Sequence, residues 1–299
     1  MNPAIVHIVS GASFFSGSAM IAAALGMSFR QRSGLVWRIF QRLLLIAGIL
    51  LAVLASPALH PVLEAAFFIV PLSVFVADEF ISEDRRSLRL GLKVFSLATC
   101  LLCVSLEAAT WISPQLPDVK QAKVYVVGDS VRAGVGYKGE RVWTEIVEKE
   151  TALPVVNLAR GGGTVRSSRT QAMFIKDDAG LIFLEIGGND MLGGTSLPEF
   201  RDGLDALLRE LCKPGRTLVM LELPWAPFHG SFRRCQRELT SRYGAALIPR
   251  RVFSQVLCGG DSTVDGLHLS NIGHERMAVA FMETCSGLLA IQNEKAGVR

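Results

Sequence analysis

Charge is missing from long stretches of the first third of this 299-residue chain. No Asp, Glu, Lys or Arg occurs in residues 1–28 or 43–63, and 65–77 and 94–106 are shorter uncharged runs. Extended by their apolar flanks, these runs predict four transmembrane helices, near 5–27, 43–59, 61–77 and 90–112. The first lacks the basic n-region of a cleaved signal peptide and is soon followed by further spans, so retention in the membrane is expected. There are only five histidines. His268 and His274 lie close together but lack a convincing set of further ligands, which makes a metal site a poor reading. No P-loop and no convincing dinucleotide fingerprint occurs, and no G-x-S-x-G elbow, which argues against the ordinary α/β-hydrolase arrangement. No cofactor is implied. The net charge is only +4, and much of the basic excess lies in two loops, so no nucleic-acid partner is needed.

Cysteine is also sparse. Of six, Cys100 and Cys103 fall in the fourth span, while Cys212, Cys235, Cys258 and Cys285 fall beyond it. In an oxidising compartment these four permit two bridges in any of three connectivities. Cys235, early in a helix that follows a strand, and Cys258, in a loop beyond the last strand, are the favoured pair. Four buried free thiols are the alternative.

The basic residues that are present set an orientation. Arg30, Arg32, Arg38 and Arg42 separate spans one and two, and Arg85, Arg86, Arg89 and Lys93 lie between or beside spans three and four. The connection 56–61 has no Lys or Arg. By the positive-inside rule both basic loops face the cytoplasm, and the N-terminus and everything after span four lie outside. Ser10, Gly11, Ser13, Ser16, Gly17 and Ser18 make a small-residue surface suited to close helix packing. Glu64 and Glu107, toward the outer side, are read either as interfacial placement or as functional intramembrane acids.

Beyond the spans the pattern changes. Residues 113–122, with Pro114 and Pro117, read as a short stiff linker that keeps the C-terminal domain near the bilayer. From residue 123 onward, apolar strand-like runs at 124–127, 155–158, 181–186, 218–223 and 245–248 alternate with helical patterns at 140–151, 165–174, 197–212, 231–243 and 271–288. This predicts a three-layer α/β/α sandwich with a parallel sheet, spanning 123–299, after a membrane region of 1–112. Ser130, the 161–163 glycine run and Asn189 each stand just past a strand, where sites form in such sheets.

Gly128-Asp129-Ser130 and Asp265-Gly266-Leu267-His268 make chemical sense together. They supply a serine, a histidine and an orienting carboxylate, the parts that turn a hydroxyl into a nucleophile. Asp265 can accept from Nδ1–H of His268, leaving Nε2 free as base. Taken singly, Ser130 also reads as a helix N-cap, the glycines as a flexible turn, Asn189-Asp190 as an Asx turn, and the Asp-Gly step as an exposed turn. Arg160 and Arg166, beside the glycines, read as solvated surface or as contacts for an anionic substrate.

Read with 157–164 (Asn-Leu-Ala-Arg-Gly-Gly-Gly-Thr) and Gly187-Gly188-Asn189-Asp190, the set resembles the SGNH hydrolases, also called the GDSL esterase/lipase family, over residues 123–289. The resemblance implies an SGNH/flavodoxin-like fold, Ser130 as nucleophile, Asp265 and His268 as acid and base, and an oxyanion hole from Ser130, Gly162 and Asn189. With the predicted topology it implies a membrane-anchored serine esterase in the cytoplasmic membrane, working on the periplasmic or extracellular side. The expected substrate is an O-acylated, notably O-acetylated, envelope glycan or lipid-linked saccharide. Alternatives are an O-acyltransferase using the same acyl-enzyme, a lipase or thioesterase on membrane lipids, and a non-catalytic subunit of a polysaccharide export or assembly complex.

Overall fold

A computed structural model describes residues 3–30, 34–82, 85–116, 123–130, 134, 137, 139–176 and 180–285. Arg32, the linker residues 117–122 and the end of the last expected helix, 286–288, lie outside the described residues. The chain divides into two compact units: one holds Ser113–Trp225, the chain from Cys235 onward and the first residues to Val6, and the other holds His7–Ile112 with Ala226–Arg234.

In the latter, the end of α1 (Pro3–Val9, from His7 onward) leads to α2 (Ala12–Ser28), α3 (Leu35–Leu54), α4 (Pro61–Phe80) and α5 (Arg86–Ala109). The helices α3, α4 and α5 are each long and apolar enough to cross a membrane. The first expected span differs: α1 and α2 are bent by 87° at their junction. Gly11 there has φ 88, a left-handed conformation that a helix interior does not accommodate. The small-residue surface has a defined use. A Cβ on Gly17 would lie 2.5 Å from the Gly48 carbonyl oxygen, and one on Gly48 would lie 2.7 Å from that of Gly17. Backbones of α2 and α3 therefore meet directly, which only paired glycines allow.

Polar contacts sit at the helix ends. Arg42 pairs with Glu79 at 2.6 Å and Lys93 with Asp78 at 3.0 Å. At the opposite ends Glu107, fully buried, pairs with the equally buried Arg233 at 2.5 Å and accepts from Ala58 N–H. Arg233 also donates to Thr110, and Arg234 pairs with Glu64 at 2.5 Å. The two acids are thus occupied by arginines from Ala226–Arg234, a segment the sequence does not connect to the spans.

The other unit is built on a five-stranded parallel sheet, β1 (Val124–Gly128), β2 (Val155–Asn157), β3 (Leu181–Glu185), β4 (Thr217–Leu221) and β5 (Ala246–Ile248), in the order 2-1-3-4-5. Every residue of β1 and β3 is buried, as expected of strands covered on both faces. The edge strands are only three residues long and partly exposed. The described helices of this unit are α6 (Trp143–Thr151), α7 (Arg169–Ala172), α8 (Gly188–Leu192), α9 (Leu197–Leu211), α10 (Gly230–Arg242, from Cys235 onward), α11 (Arg250–Cys258) and α12 (Asn271–Thr284). Phe183 of β3 meets Trp143 and Phe281 edge-on, joining α6 and α12 in one layer. In the other layer α9 packs on α7, and its Phe200 meets Trp225.

Three local expectations change. The helix expected over 165–174 shrinks to the single turn α7, because Thr164 and Ser167 bond each other's side chains and backbone and divert the chain into a turn. Residues 250–258 are helical, so Cys258 ends a helix instead of lying in a loop. None of the six cysteines is in a disulfide, so the favoured Cys235–Cys258 bridge is absent. Cys235 is buried beside the Arg201 and Asp205 charges of α9, and that burial pushes its thiol up to about 11.

Candidate active site

The strand order places a topological switch between β1 and β3: the chain leaves β1 toward β2 on one side and returns to β3 on the other. Loops diverge there and leave a crevice beyond the carboxyl ends of the strands. Asp129 and Ser130 follow β1 directly, Asn189 follows β3, and the 160–164 loop follows β2 at the flank.

Close backbone approach explains Gly163, and positive φ explains Gly162 and Gly187. A Cβ on Gly163 would stand 3.1 Å from the carbonyl oxygens of Arg160 and Gly128, and one on Gly161 would touch Ser130 Cβ at 3.9 Å. Gly162 has φ 72 and Gly187 φ 116. At Gly187 a side chain would also press on Leu223 and Phe200, at 3.0 and 3.1 Å. The end of β1 is held by Gln171, whose buried amide accepts from Gly128 N–H at 3.0 Å and donates to Gly128 C=O at 2.9 Å. Sequence reading missed Gln171. Its only signal is a polar residue inside the apolar spacing of 165–174.

Ser130, His268 and Asp265 form one hydrogen-bonded line. His268 Nε2 lies 3.1 Å from Ser130 Oγ, and Nδ1 lies 2.6 Å from Asp265 Oδ2. The other Asp265 oxygen accepts from the backbone N–H groups of Leu267 and His268, at 2.9 and 2.8 Å. The His268 side chain, then those two N–H groups, hold the Asp265 carboxyl well below the usual carboxylate range. The loop carrying both residues is a compact knot. Val264 N–H bonds His268 C=O, Ser270 N–H bonds Ser262 C=O, and Ser270 Oγ donates to Asp261 C=O. Ser270 then caps α12 by accepting from Gly273 N–H.

Asn189 lies in the same crevice, with its amide engaged. Nδ2 donates to Asp129 Oδ2 and to Gly163 C=O, each at 3.0 Å. Asp129 and Asp190 are both buried. Asp190 accepts from Val165 N–H at 2.9 Å, and burial raises its carboxyl above the ordinary range. Arg160 and Arg166 are exposed, with Arg160 lying 6.0 Å from the Phe174 ring centre. Among the described residues no group of three or more His, Cys, Asp or Glu is arranged to hold a metal ion.

A hydroxyl, an imidazole and a carboxylate in line at a switch point define a class, the serine hydrolases with a three-layer α/β core. The GDSL-like Lipase/Acylhydrolase family matches residues 126–276, and the chain belongs to this family. Esterase TesA of Pseudomonas aeruginosa is 25% identical over 178 residues, covering 55% of this chain and 88% of that protein. Among solved structures, the crystal structure of TesA aligns with a TM-score of 0.50 at 22% identity, covering 56% of this chain and 99% of the other. The psychrotrophic esterase EstA of Pseudoalteromonas, solved with monoethylphosphonate as inhibitor, aligns with a TM-score of 0.51 at 16% identity, covering 57% and 100%. The enzyme is an SGNH-type serine hydrolase acting on esters.

Proposed function

We propose that the protein is a membrane-anchored esterase that removes a small O-acyl group, acetyl above all, from a glycan or lipid-linked saccharide outside the cytoplasm. The observation that carries this reading is the Ser130–His268–Asp265 line beside the glycine loop. In the reaction Ser130 Oγ attacks the acyl carbonyl carbon as its proton passes to His268 Nε2. Asp265 holds the imidazole tautomer and offsets the positive charge that forms. The tetrahedral oxyanion is stabilised by the N–H groups of Ser130 and Gly162 and by Asn189 Nδ2, for one of whose protons it competes with the Gly163 carbonyl. His268 then protonates the leaving alkoxide, and water releases the acid from the acyl-enzyme by the same steps in reverse roles.

The exposure of the triad supports a bulky alcohol portion: the His268 and Asp265 side chains are 27% and 51% exposed. The helices α3 to α5 support the anchor. With Arg30 and Arg38 before or at the start of α3, and Arg86, Arg89 and Lys93 early in α5, the positive-inside rule puts the end of α5 outside. That placement holds whether the bent α1–α2 pair crosses or re-enters; only the side of the N-terminus depends on it.

The test is hydrolysis of p-nitrophenyl esters, from acetyl through longer acyl chains, by detergent-purified full-length protein. The expected result is a preference for acetate, with Ser130→Ala and His268→Ala each lowering kcat by at least about 10⁴-fold. A folded wild type that neither turns over any ester nor is labelled at Ser130 by an ethylphosphonate would sink the esterase reading. Acyl transfer to an added saccharide in place of hydrolysis would convert it to a transferase.

A further inference from the structure

A second histidine–carboxylate pair lies six residues beyond His268. His274 is buried on α12, and its Nδ1 accepts from Trp143 N–H at 3.4 Å. That bond fixes the tautomer, so Nε2 carries the proton and donates to Glu140 at 3.3 Å. One turn earlier, Asn271 Oδ1 accepts from both Tyr137 OH and Arg141 N–H, at 3.0 and 2.9 Å, and Asn271 Nδ2 donates to Gly139 C=O. Glu275 adds an ion pair to Arg141. Asn271, His274 and Glu275 are spaced three and four apart and so share a helix face. That face grips Tyr137 and the stretch from Gly139 to Trp143, in the chain that has just left Ser130. Glu140 in turn packs on Gly134, where a Cβ would lie 3.0 Å from Oε2.

The geometry points to His274, supported by Asn271 and Glu140, as a positioning residue for the ester reaction: it fixes Tyr137 and the stretch from Gly139 to Trp143, downstream of the nucleophile, to α12, the helix that anchors the loop bearing the base. The argument runs through rigidity. The knot holding Asp265 and His268 is bonded to α12 by the Ser270 cap and by Arg276, which reaches Gly260 C=O and Ser262 Oγ. The location of His268 is therefore the location of α12, and α12 is placed against the nucleophile's side of the site through this grip. A shift on the order of 1 Å in such a relation costs about 10²-fold in rate.

The pair is also titratable. Burial lowers the pKa of His274, opposed by its bond to Glu140 and by the Glu140 and Glu145 charges from the α6 side. On the α11 side the charges are Arg250, buried, and Arg251, which faces a cleft it shares with Glu275, Arg276 and Glu283. Protonation would set an Nδ1–H against Trp143 N–H and break the grip. Because the folded value lies below that of the unfolded chain, the stability contributed by neutral His274 is present at neutral pH. It is lost as pH falls below about 6.5 through the folded value.

This inference rests on the esterase reading, and the experiment separates the two. For wild type, His274→Ala, His274→Asn and Glu140→Gln, kcat and KM for p-nitrophenyl acetate are measured across pH, per site titrated by phosphonate. Hydrogen exchange of the peptide spanning 137–150 is followed in the same samples. His274→Ala should lower kcat by about 10–10²-fold with little change in KM and speed exchange. His274→Asn, which keeps an acceptor near Nδ1, should recover part of kcat and steepen less on the acid side. Glu140→Gln, which still accepts from Nε2–H but loses the charge that opposes the lowering, should move the acid limb of the kcat profile to lower pH. If His274→Ala lowers only thermal stability, with kcat per titrated site and pH profile unchanged, the positioning role is overturned. If the wild type itself is inactive the esterase reading fails, and unchanged exchange in His274→Ala then overturns the grip independently.

Discussion

Asn189 donates both protons of its amide within the enzyme; in the proposed mechanism its bond to Gly163 C=O would compete with the substrate oxyanion while its bond to Asp129 keeps it aimed. Replacing Asn189 by Ala should lower kcat by about 10²–10³-fold with little effect on KM, measured on the acetate ester, since the contact strengthens only as charge develops. Asp265 is depressed by His268 and two backbone N–H groups. The stability it contributes is therefore present above its unfolded value and is lost as pH falls through the lower folded value. Asp265→Asn should flatten the decline of melting temperature below about pH 4. An unchanged acid decline would mean that the carboxylate adds nothing to stability there. Ser130, His268 and Asp265 could be read together as one candidate set because such chemistry admits few residue types. The Gln171 clamp on Gly128 was not, because a buried glutamine in sequence looks like any polar surface position.

At the scale of elements, the 160–164 turn brings Gly163 against the backbone carbonyls of Arg160 and Gly128. Gly163→Ala would push a methyl into the carbonyls of Arg160 and Gly128. Its kcat should fall while the far-UV spectrum and overall melting stay close to wild type; equal kcat would show that the turn is freer than its contacts imply. In the helical unit the α2–α3 crossing depends on Gly17 and Gly48. Gly17→Leu should separate these helices and lower the melting temperature in detergent, whereas Gly26→Leu, where a Cβ meets nothing within 4 Å, should not. The strands were legible as apolar runs because a sheet covered on both faces demands them. Helix α7 was not, since the side-chain bonds of Thr164 and Ser167 redirect a stretch whose spacing is helical.

For the whole molecule, the Glu107–Arg233 ion pair of the helical unit has both side chains fully buried. Glu107→Ala would leave Arg233 buried without its carboxylate, a change that typically costs about 3–5 kcal/mol, and should sharply reduce melting temperature and yield. Glu107→Ala with Arg233→Met should recover much of that loss; failure to do so would show that the pair is not what holds the segment. A C-terminal alkaline phosphatase fusion should be active, and a C-terminal green fluorescent protein fusion dark, if the chain after α5 is outside. The reverse pattern would overturn the orientation.

Composition and motif were enough to determine the family, the parallel α/β core and the presence of apolar helices able to cross a membrane. Each depends on local constraints: which residues tolerate lipid, which fill a strand covered on both sides, which can act as nucleophile, base and oxyanion donor. Only the tertiary structure decided that Glu107 and Glu64 answer to Arg233 and Arg234, that the cysteines stay apart, that the first apolar run breaks at Gly11, and that His274 grips the chain leaving Ser130. These pairings join residues far apart in sequence or depend on a backbone angle that the sequence pattern does not reveal. Long-range partners are chosen by packing, and packing is not written in any local spacing.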